Sequence, residues 1–244
     1  MPYKQHEHAV WTRLYQRMLP CWERSATPVF LDGICKLGLK PDHVPELSEV
    51  NALLAPLTGF QAVPVAGYVP AAEFFSHLKE RRFPTVTKVR SESQMDYLPE
   101  PDIFHDVAGH VPMHTSPVFA DTLASYGALA AELHDEERVS GALARFFWFT
   151  IEFGLMDTPQ GLRAYGSGLL SSFGELDYAL HSPNVTRRPF DLAEVLATPF
   201  EIDRFQNCLY VVDSFDQLYD AVGQLRSQFS ALSFGQKKHD HRSQ

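Results

Sequence analysis

Two histidines and one carboxylate, with no cysteine beside them, are the residues of this chain best suited to chemistry. His105 and His110 stand five residues apart in "LPEPDIFHDVAGH", and Glu152 lies in "RFFWFTIEFGL" among phenylalanines, a tryptophan and an isoleucine. A carboxylate in so apolar a run is costly to bury unless it is paired or bound to a metal. Two imidazoles with one carboxylate are the donor set of non-haem Fe(II) oxygenases, which keep positions open for O2 and substrate. The same side chains also suit catalytic zinc. A zinc peptidase places a glutamate base next to its first histidine; Asp106 stands there instead, which weighs against hydrolysis. The spacing leaves alternatives open. An α-helix turns about 100° per residue, so a five-residue step sets the two rings about 140° apart. They reach one ion only if the helix is short or distorted. The competing readings are a pair of helix-end histidines, and a Glu152 salt-bridged to Arg145 or Arg163.

The elements that must hold these groups are mostly helical. Over residues 6–19, Val10, Leu14 and Met18 form one apolar stripe, which predicts an amphipathic helix ending near Pro20. Thr27 and Pro28 open a second helix that Gly38 stops, and Ser48 opens a third. "GFQAVPVAGYVP" has proline and glycine too often for a helix and reads as extended or looped. "AAEFFSHLKERRF" is helical up to Pro84, and the β-branched "TVTKVR" is a short strand. Pro101 and Asp102 start a short helix that Gly109 and Pro112 limit. Ser116 and Pro117 open the next one. "EERVSGALARFFWFTIEFG" is a long apolar helix that Gly154 ends. An apolar run, "CLYVV", precedes a last helix through "FDQLYDAVGQLRSQF". The fold class is mostly α with a few short β-strands. One domain covers residues 1–233, and 234–244 form a polar, disordered tail.

Composition narrows the partners. The formal net charge is −9 and no dense Lys/Arg stripe appears, so nucleic acid and anionic membrane surfaces are not expected. No apolar run approaches the roughly 20 residues that span a bilayer. The N-terminus lacks the basic-then-apolar layout of a signal peptide. Cys21, Cys35 and Cys208 are few and widely spaced, which fits a reducing cytoplasm and no disulfide or metal framework.

The stretches "YLPEPDIFHDVAGHVP", "FWFTIEFGL" and "AYGSGLLSSFGEL" resemble, in order and spacing, signatures of the pterin-dependent aromatic amino-acid hydroxylases, in particular their short bacterial branch. The likeness runs from "EHAVWTRLYQRM" to "CLYVVDSF", nearly the whole chain. It implies a single, mostly helical catalytic domain, and His105, His110 and Glu152 as ligands of Fe(II). It implies that Arg90 pairs with the substrate carboxylate, a task that suits a planar guanidinium, with Glu175 helping to hold it. Leu98, Pro101, Trp148, Gly168 and Ser171 fall on positions of the amino-acid pocket, Ser171 beside an iron-bound histidine. Tetrahydrobiopterin, or another tetrahydropterin, is implied to lie along Gly67, Tyr68 and Val69 and to stack on Phe74. Asp106, Ala144 and Phe147 line the same cavity. Read alone, Trp148 and Phe74 are core residues, Arg90 a surface arginine and Ser171 a helix cap.

Leu98, Phe147 and Asn207 stand where animal members carry threonine, tyrosine and proline. These departures touch pocket polarity and substrate choice, not the metal ligands. The reaction implied is ring hydroxylation with O2, of L-phenylalanine to L-tyrosine. The substrate rests on Trp148, since tryptophan-hydroxylating members carry phenylalanine there; tryptophan or another ring position is the alternative. No regulatory domain and no heptad-rich C-terminal helix are evident, so a monomer is expected.

Overall fold

The computed structural model describes residues 3–96, 100–133 and 137–240. Helices dominate, and they pack around one continuous apolar core. The first three are α1 (Gln5–Ser25), α2 (Pro28–Lys36) and α3 (Leu47–Thr58). Proline does not end α1 as expected. Pro20 lies on its exposed face and the helix runs on to Ser25. The last turn is held by tertiary contacts: Trp22 is fully buried, and its indole Nε1–H donates to the Leu170 carbonyl at 2.7 Å. A proline removes one helical hydrogen bond, and here packing outweighs that loss.

Strand β1 (Gln61–Val65), helix α4 (Ala71–Lys79) and strand β2 (Arg82–Val86) follow, with β1 and β2 parallel in a two-stranded sheet. The helix expected to run up to Pro84 therefore stops earlier. Arg81 adopts a left-handed conformation (φ 55°) that turns the chain, and Pro84 becomes part of a strand. A two-stranded ladder has free edges where proline is tolerated. Only Thr85 and Val86 of "TVTKVR" are strand.

The histidine segment forms a π-helical turn (Phe104–His110) followed by a 3-10 turn (Val111–Thr115). Beyond it come α5 (Pro117–Leu133) and α6 (Glu137–Phe147), the latter passing into a second π turn (Trp148–Glu152). Strands β3 (Leu155–Thr158) and β4 (Gly161–Ala164) form a hairpin, followed by α7 (Ser167–Leu170), α8 (Phe173–His181), β5 (Thr186–Pro189), α9 (Leu192–Ala197), β6 (Cys208–Val212) and α10 (Phe215–Asp240). The four strands order as β4-β3-β6-β5, with β6 parallel to both neighbours. Helix α10 continues through 234–240, part of the segment expected to be disordered; 241–244 lie outside the described residues. Among the described residues, no helix is long and apolar enough to cross a membrane.

Two contacts set the floor under the histidines. Phe104 packs against Trp11 (ring centroids 5.2 Å apart) and stacks on Trp22 (6.2 Å). Helix α2 crosses the 3-10 turn at Gly33, where an added Cβ would lie 2.1 Å from the Pro112 carbonyl oxygen. Both partners are backbone and cannot swing aside. Gly33→Ala is therefore expected to destabilise the fold by about 1–3 kcal/mol, although alanine is the better helix former. A urea titration gives the measurement, and an unchanged midpoint would show that α2 and the turn move apart freely.

Candidate active site

The π turn resolves the histidine spacing. Hydrogen bonds from i to i+5 place residues five apart next to each other along the helix, so His105 and His110 share one face. Their Nε2 atoms are 3.2 Å apart and their rings nearly perpendicular (84°). His105 Nδ1 lies 2.8 Å from Ser171 Oγ, which fixes the ring plane and aims Nε2 at His110. The His110 ring is buried against Phe83, with centroids 4.7 Å apart.

Glu152 comes from the second π turn. Its Oε1 is 3.2 Å from His110 Nε2 and its Oε2 is 3.8 Å from His105 Nε2. The salt-bridge alternatives fall away, since Arg145 donates to the Leu196 carbonyl and Arg163 to the Leu162 carbonyl. Burial alone would raise the Glu152 pKa, but His110, His105 and the Ser167 hydroxyl outweigh it and bring it down to about 2. Burial pulls His105 down to about 4, against the pull of Glu152. An ionised carboxylate beside a neutral imidazole is the protonation state that binds a metal. The spacing fits as well: donor atoms on adjacent corners around an ion, with bonds of about 2.1 Å, lie about 3 Å apart.

Asp106 is a second carboxylate within reach, for one donor atom each of His105, Asp106 and His110 lie within 4.8 Å of one another. Its Oδ2 already accepts the Val86 N–H at 2.6 Å, and burial pushes its pKa up to about 7. Glu152, held ionised, is the better third ligand, and Asp106 belongs to the wall that joins the turn to β2.

Arg90 is buried and held by Asp102. Its backbone N–H and Nε donate to Asp102 Oδ2 (3.0 and 2.9 Å), and its Nη2 donates to Oδ1 (2.8 Å). Oδ1 also accepts the His105 N–H at 3.0 Å. One carboxylate thus fixes both the arginine and the start of the histidine turn. The hydrogen bonds of Arg90 go to Asp102 rather than to Glu175. Glu175 sits behind Phe153 and Leu169, where burial and then the Glu152 charge raise its pKa to about 7.

Trp148 lies between Phe153 (4.6 Å) and Phe200, on which it stacks at 4.5 Å and 16°. Its Nε1 is buried with no hydrogen-bond partner among the described residues. Gly168 closes this side, since an added Cβ would meet the Phe153 ring at 2.9 Å. Phe74 is edge-on to Phe147 (5.7 Å) and to Phe83 (6.2 Å), so it reaches His110 through Phe83. Gly67, Tyr68, Val69, Pro101 and Ala144 make no hydrogen bond or ring contact with these groups among the described residues; Tyr68 is 90% exposed. Leu98 lies outside the described residues. Asp102, Ser167 and Phe200 are the contacts that sequence reasoning missed. Of these, only Asp102, an acid directly after a proline and three positions before the first histidine, carried any signal.

His114 lies beneath the site, fully buried among Phe60 (5.0 Å), Phe83 (4.8 Å) and Phe119 (6.2 Å). Neither ring nitrogen has a partner among the described residues, and burial, then the His110 charge, holds its pKa well below 6.5. Below pH 6.5 the unfolded chain takes up a proton here that the folded chain refuses, so stability falls as pH falls. His114→Phe is expected to stabilise the protein by about 1–3 kcal/mol and to flatten the loss of stability between pH 6.5 and 5. Urea midpoints at the two pH values test this; parallel curves for both proteins would mean that the imidazole has a partner.

A helical domain that brings two histidines and a carboxylate onto one point, next to an arginine held by a carboxylate, carries the donor set of a metal-dependent enzyme. Residues 1–234 match the family described as biopterin-dependent aromatic amino acid hydroxylase. The chain is 43% identical over 223 residues to the phenylalanine-4-hydroxylase of Chromobacterium violaceum, covering 90% of this chain and 74% of that protein. It is 44% identical to the phenylalanine-4-hydroxylase of Caulobacter vibrioides, with the same coverage. The crystal structure of the Chromobacterium violaceum phenylalanine hydroxylase with bound iron(III) and 7,8-dihydrobiopterin superposes with a TM-score of 0.89 at 42% identity, over 94% of this chain and 84% of that one. The apo enzyme of Colwellia psychrerythraea 34H gives 0.88 at 40% identity, over 95% and 91%. The chain belongs to the biopterin-dependent aromatic amino acid hydroxylase family.

Proposed function

We propose that this protein is a phenylalanine 4-monooxygenase, which uses Fe(II), a tetrahydropterin and O2 to convert L-phenylalanine to L-tyrosine. The observation that carries the reading is the convergence of His105 Nε2, His110 Nε2 and Glu152 Oε1, with 3.2 Å between neighbouring donors, in a chain of this family. Bound Fe(II) would supply the centre at which O2 is activated, one oxygen atom going to the ring and the other to the pterin. The protein's part is to hold, aim and keep dry. Ser171 orients His105. Arg90 uses the N–H groups that Asp102 leaves free to receive the substrate carboxylate. Trp148, braced by Phe153 and Phe200, presents its edge to the substrate ring, with Pro101 and Gly168 completing the pocket and Glu175 behind it. Phe74 offers a face to the pterin, next to Phe147, Asp106 and Ala144, with the backbone of Gly67, Tyr68 and Val69 at the rim.

The catalytic domain is residues 1–233, acting as a monomer in the cytoplasm in phenylalanine catabolism, with no nucleic-acid partner. The family match over residues 1–234 supports the domain bounds, and the acidic net charge supports the absence of a nucleic-acid partner. Product analysis by mass spectrometry and NMR, with phenylalanine, tryptophan and tyrosine in competition, tests the assignment. Tyrosine formed only when Fe(II), O2 and reduced pterin are all present is the expected result. Turnover with zinc alone would overturn it.

A further inference from the structure

Ser167 is fully buried between the two turns that carry the candidate ligands. Its Oγ lies 2.9 Å from Glu152 Oε2, 2.9 Å from His110 Nε2 and 3.3 Å from the Ile151 carbonyl oxygen. It is not free to withdraw. On one side, a Cβ at Gly109 would come within 3.1 Å of the Ser167 carbonyl oxygen. On the other, the preceding Gly166 is pressed onto the Glu152 backbone, where a Cβ would lie 2.4 Å from the Glu152 carbonyl oxygen. The backbone therefore delivers one hydroxyl to a fixed point beside the carboxylate.

A serine hydroxyl has one proton to donate. When His110 Nε2 holds a cation, that nitrogen carries no hydrogen and its lone pair is engaged. It can then neither donate to Ser167 nor accept from it. Of the two acceptors left, Glu152 Oε2 is closer and charged, and Ile151 is farther and neutral. Charge-assisted hydrogen bonds are the stronger ones, so the proton goes to Oε2. We propose that Ser167 is a positioning residue which ties up Glu152 Oε2 and so restricts this carboxylate to binding the metal through Oε1. The consequence is an open coordination position. A carboxylate that bound through both oxygens would take up a place needed by water, O2 or substrate. The proposal rests on Glu152 being a metal ligand.

The test uses the whole protein stripped of metal and reloaded with Mn(II), an octahedral ion suited to oxygen and nitrogen donors. Its paramagnetism makes water-proton relaxation a measure of how many waters the bound ion carries. Per bound Mn(II), Ser167→Ala is expected to lower the inner-sphere relaxivity by about one third, as one of about three open positions closes. Ser167→Thr, which keeps the hydroxyl, is expected to restore it. A merely structural serine would change affinity or stability but not the relaxivity per bound ion. Equal relaxivity in wild type and Ser167→Ala would overturn the proposal. If Ser167→Ala does not fold, Ser167→Cys, with its weak S–H donor, takes its place with the same fall expected. Glu152→Ala separates the two levels: Mn(II) bound as tightly there as in wild type would remove Glu152 from the ligand set, and this inference with it.

Discussion

Glu152→Ala is expected to leave a folded protein that no longer retains metal and no longer hydroxylates phenylalanine. The carboxylate is the one anionic member of the set, and it is held ionised, its pKa brought down to about 2 by the two histidines and Ser167 against its burial. Loss of a group that merely orients a ligand costs about 10–100-fold in metal affinity, so loss of the charged ligand itself is expected to cost at least about 100-fold. The fold has less at stake. The partners of the Glu152 carboxylate are His105, His110 and Ser167, and the histidines keep each other and their serines when it is gone. Without metal, the variant should stay folded but melt below wild type at neutral pH, since a carboxylate whose pKa is lowered in the fold stabilises it there. With metal, only the wild type should gain the extra stability that comes from binding the native state alone. Metal content after gel filtration, with melts at increasing Fe(II), reads both halves. A variant that kept its iron would place the third ligand elsewhere, and Asp106 is the carboxylate nearest at hand. Burial holds His105 near a pKa of about 4, so protons should compete for this imidazole only well into the acid range.

Side-chain chemistry was more legible in the sequence than backbone path. Glu152 could be read because a carboxylate is expensive in apolar surroundings and so stands out, and the histidines because their type matches it as a donor set; Arg90 came only through the family resemblance. The convergence of the donor set could not be read. On an α-helix the five-residue step separates the rings, and it is the i→i+5 turn over Phe104–His110 that brings them together; nothing in "FHDVAGH" announces it. Local signals failed where distant contacts outweighed them. Pro20 reads as a helix stop, yet Trp22 carries α1 onward by donating to Leu170, 148 residues away. Pro84 reads as a breaker and sits in a strand paired with β1. Strands β3, β4 and β5, "LMDT", "GLRA" and "TRRP", are too short and too polar to alternate visibly. Phe200 looked like any other aromatic residue. Its role depends on α9 and the chain beyond it folding back onto the second π turn, where it stacks on Trp148.

The Arg90–Asp102 pair joins fold and function, and Asp102→Ala is expected to damage both. Their side chains are 7% and 2% exposed, so neither charge has water to fall back on. Burial works against an ionised Asp102, but the hydrogen bonds and charge of Arg90 prevail and lower its pKa. Its contribution is present above pH 3.8 and is lost as pH falls below that value. Removing one partner of a buried ion pair costs about 3–5 kcal/mol, because the other charge is left stranded. Here the loss also strips acceptors from the Arg90 and His105 backbone N–H groups. Asp102→Asn is no remedy, since it offers one acceptor oxygen and turns an NH2 toward the donors around it. If the guanidinium aims the substrate carboxylate, the surviving activity should show KM for phenylalanine raised at least about tenfold, worth about 1.4 kcal/mol, more than kcat is lowered. The double variant Arg90→Leu/Asp102→Leu separates stranding from packing. It is expected to be more stable than Asp102→Ala, because no buried charge remains, while binding phenylalanine no better. If the double variant were less stable by the sum of the two single losses, the pair would be acting as two independent packing residues, and Asp102 would have no part in aiming Arg90.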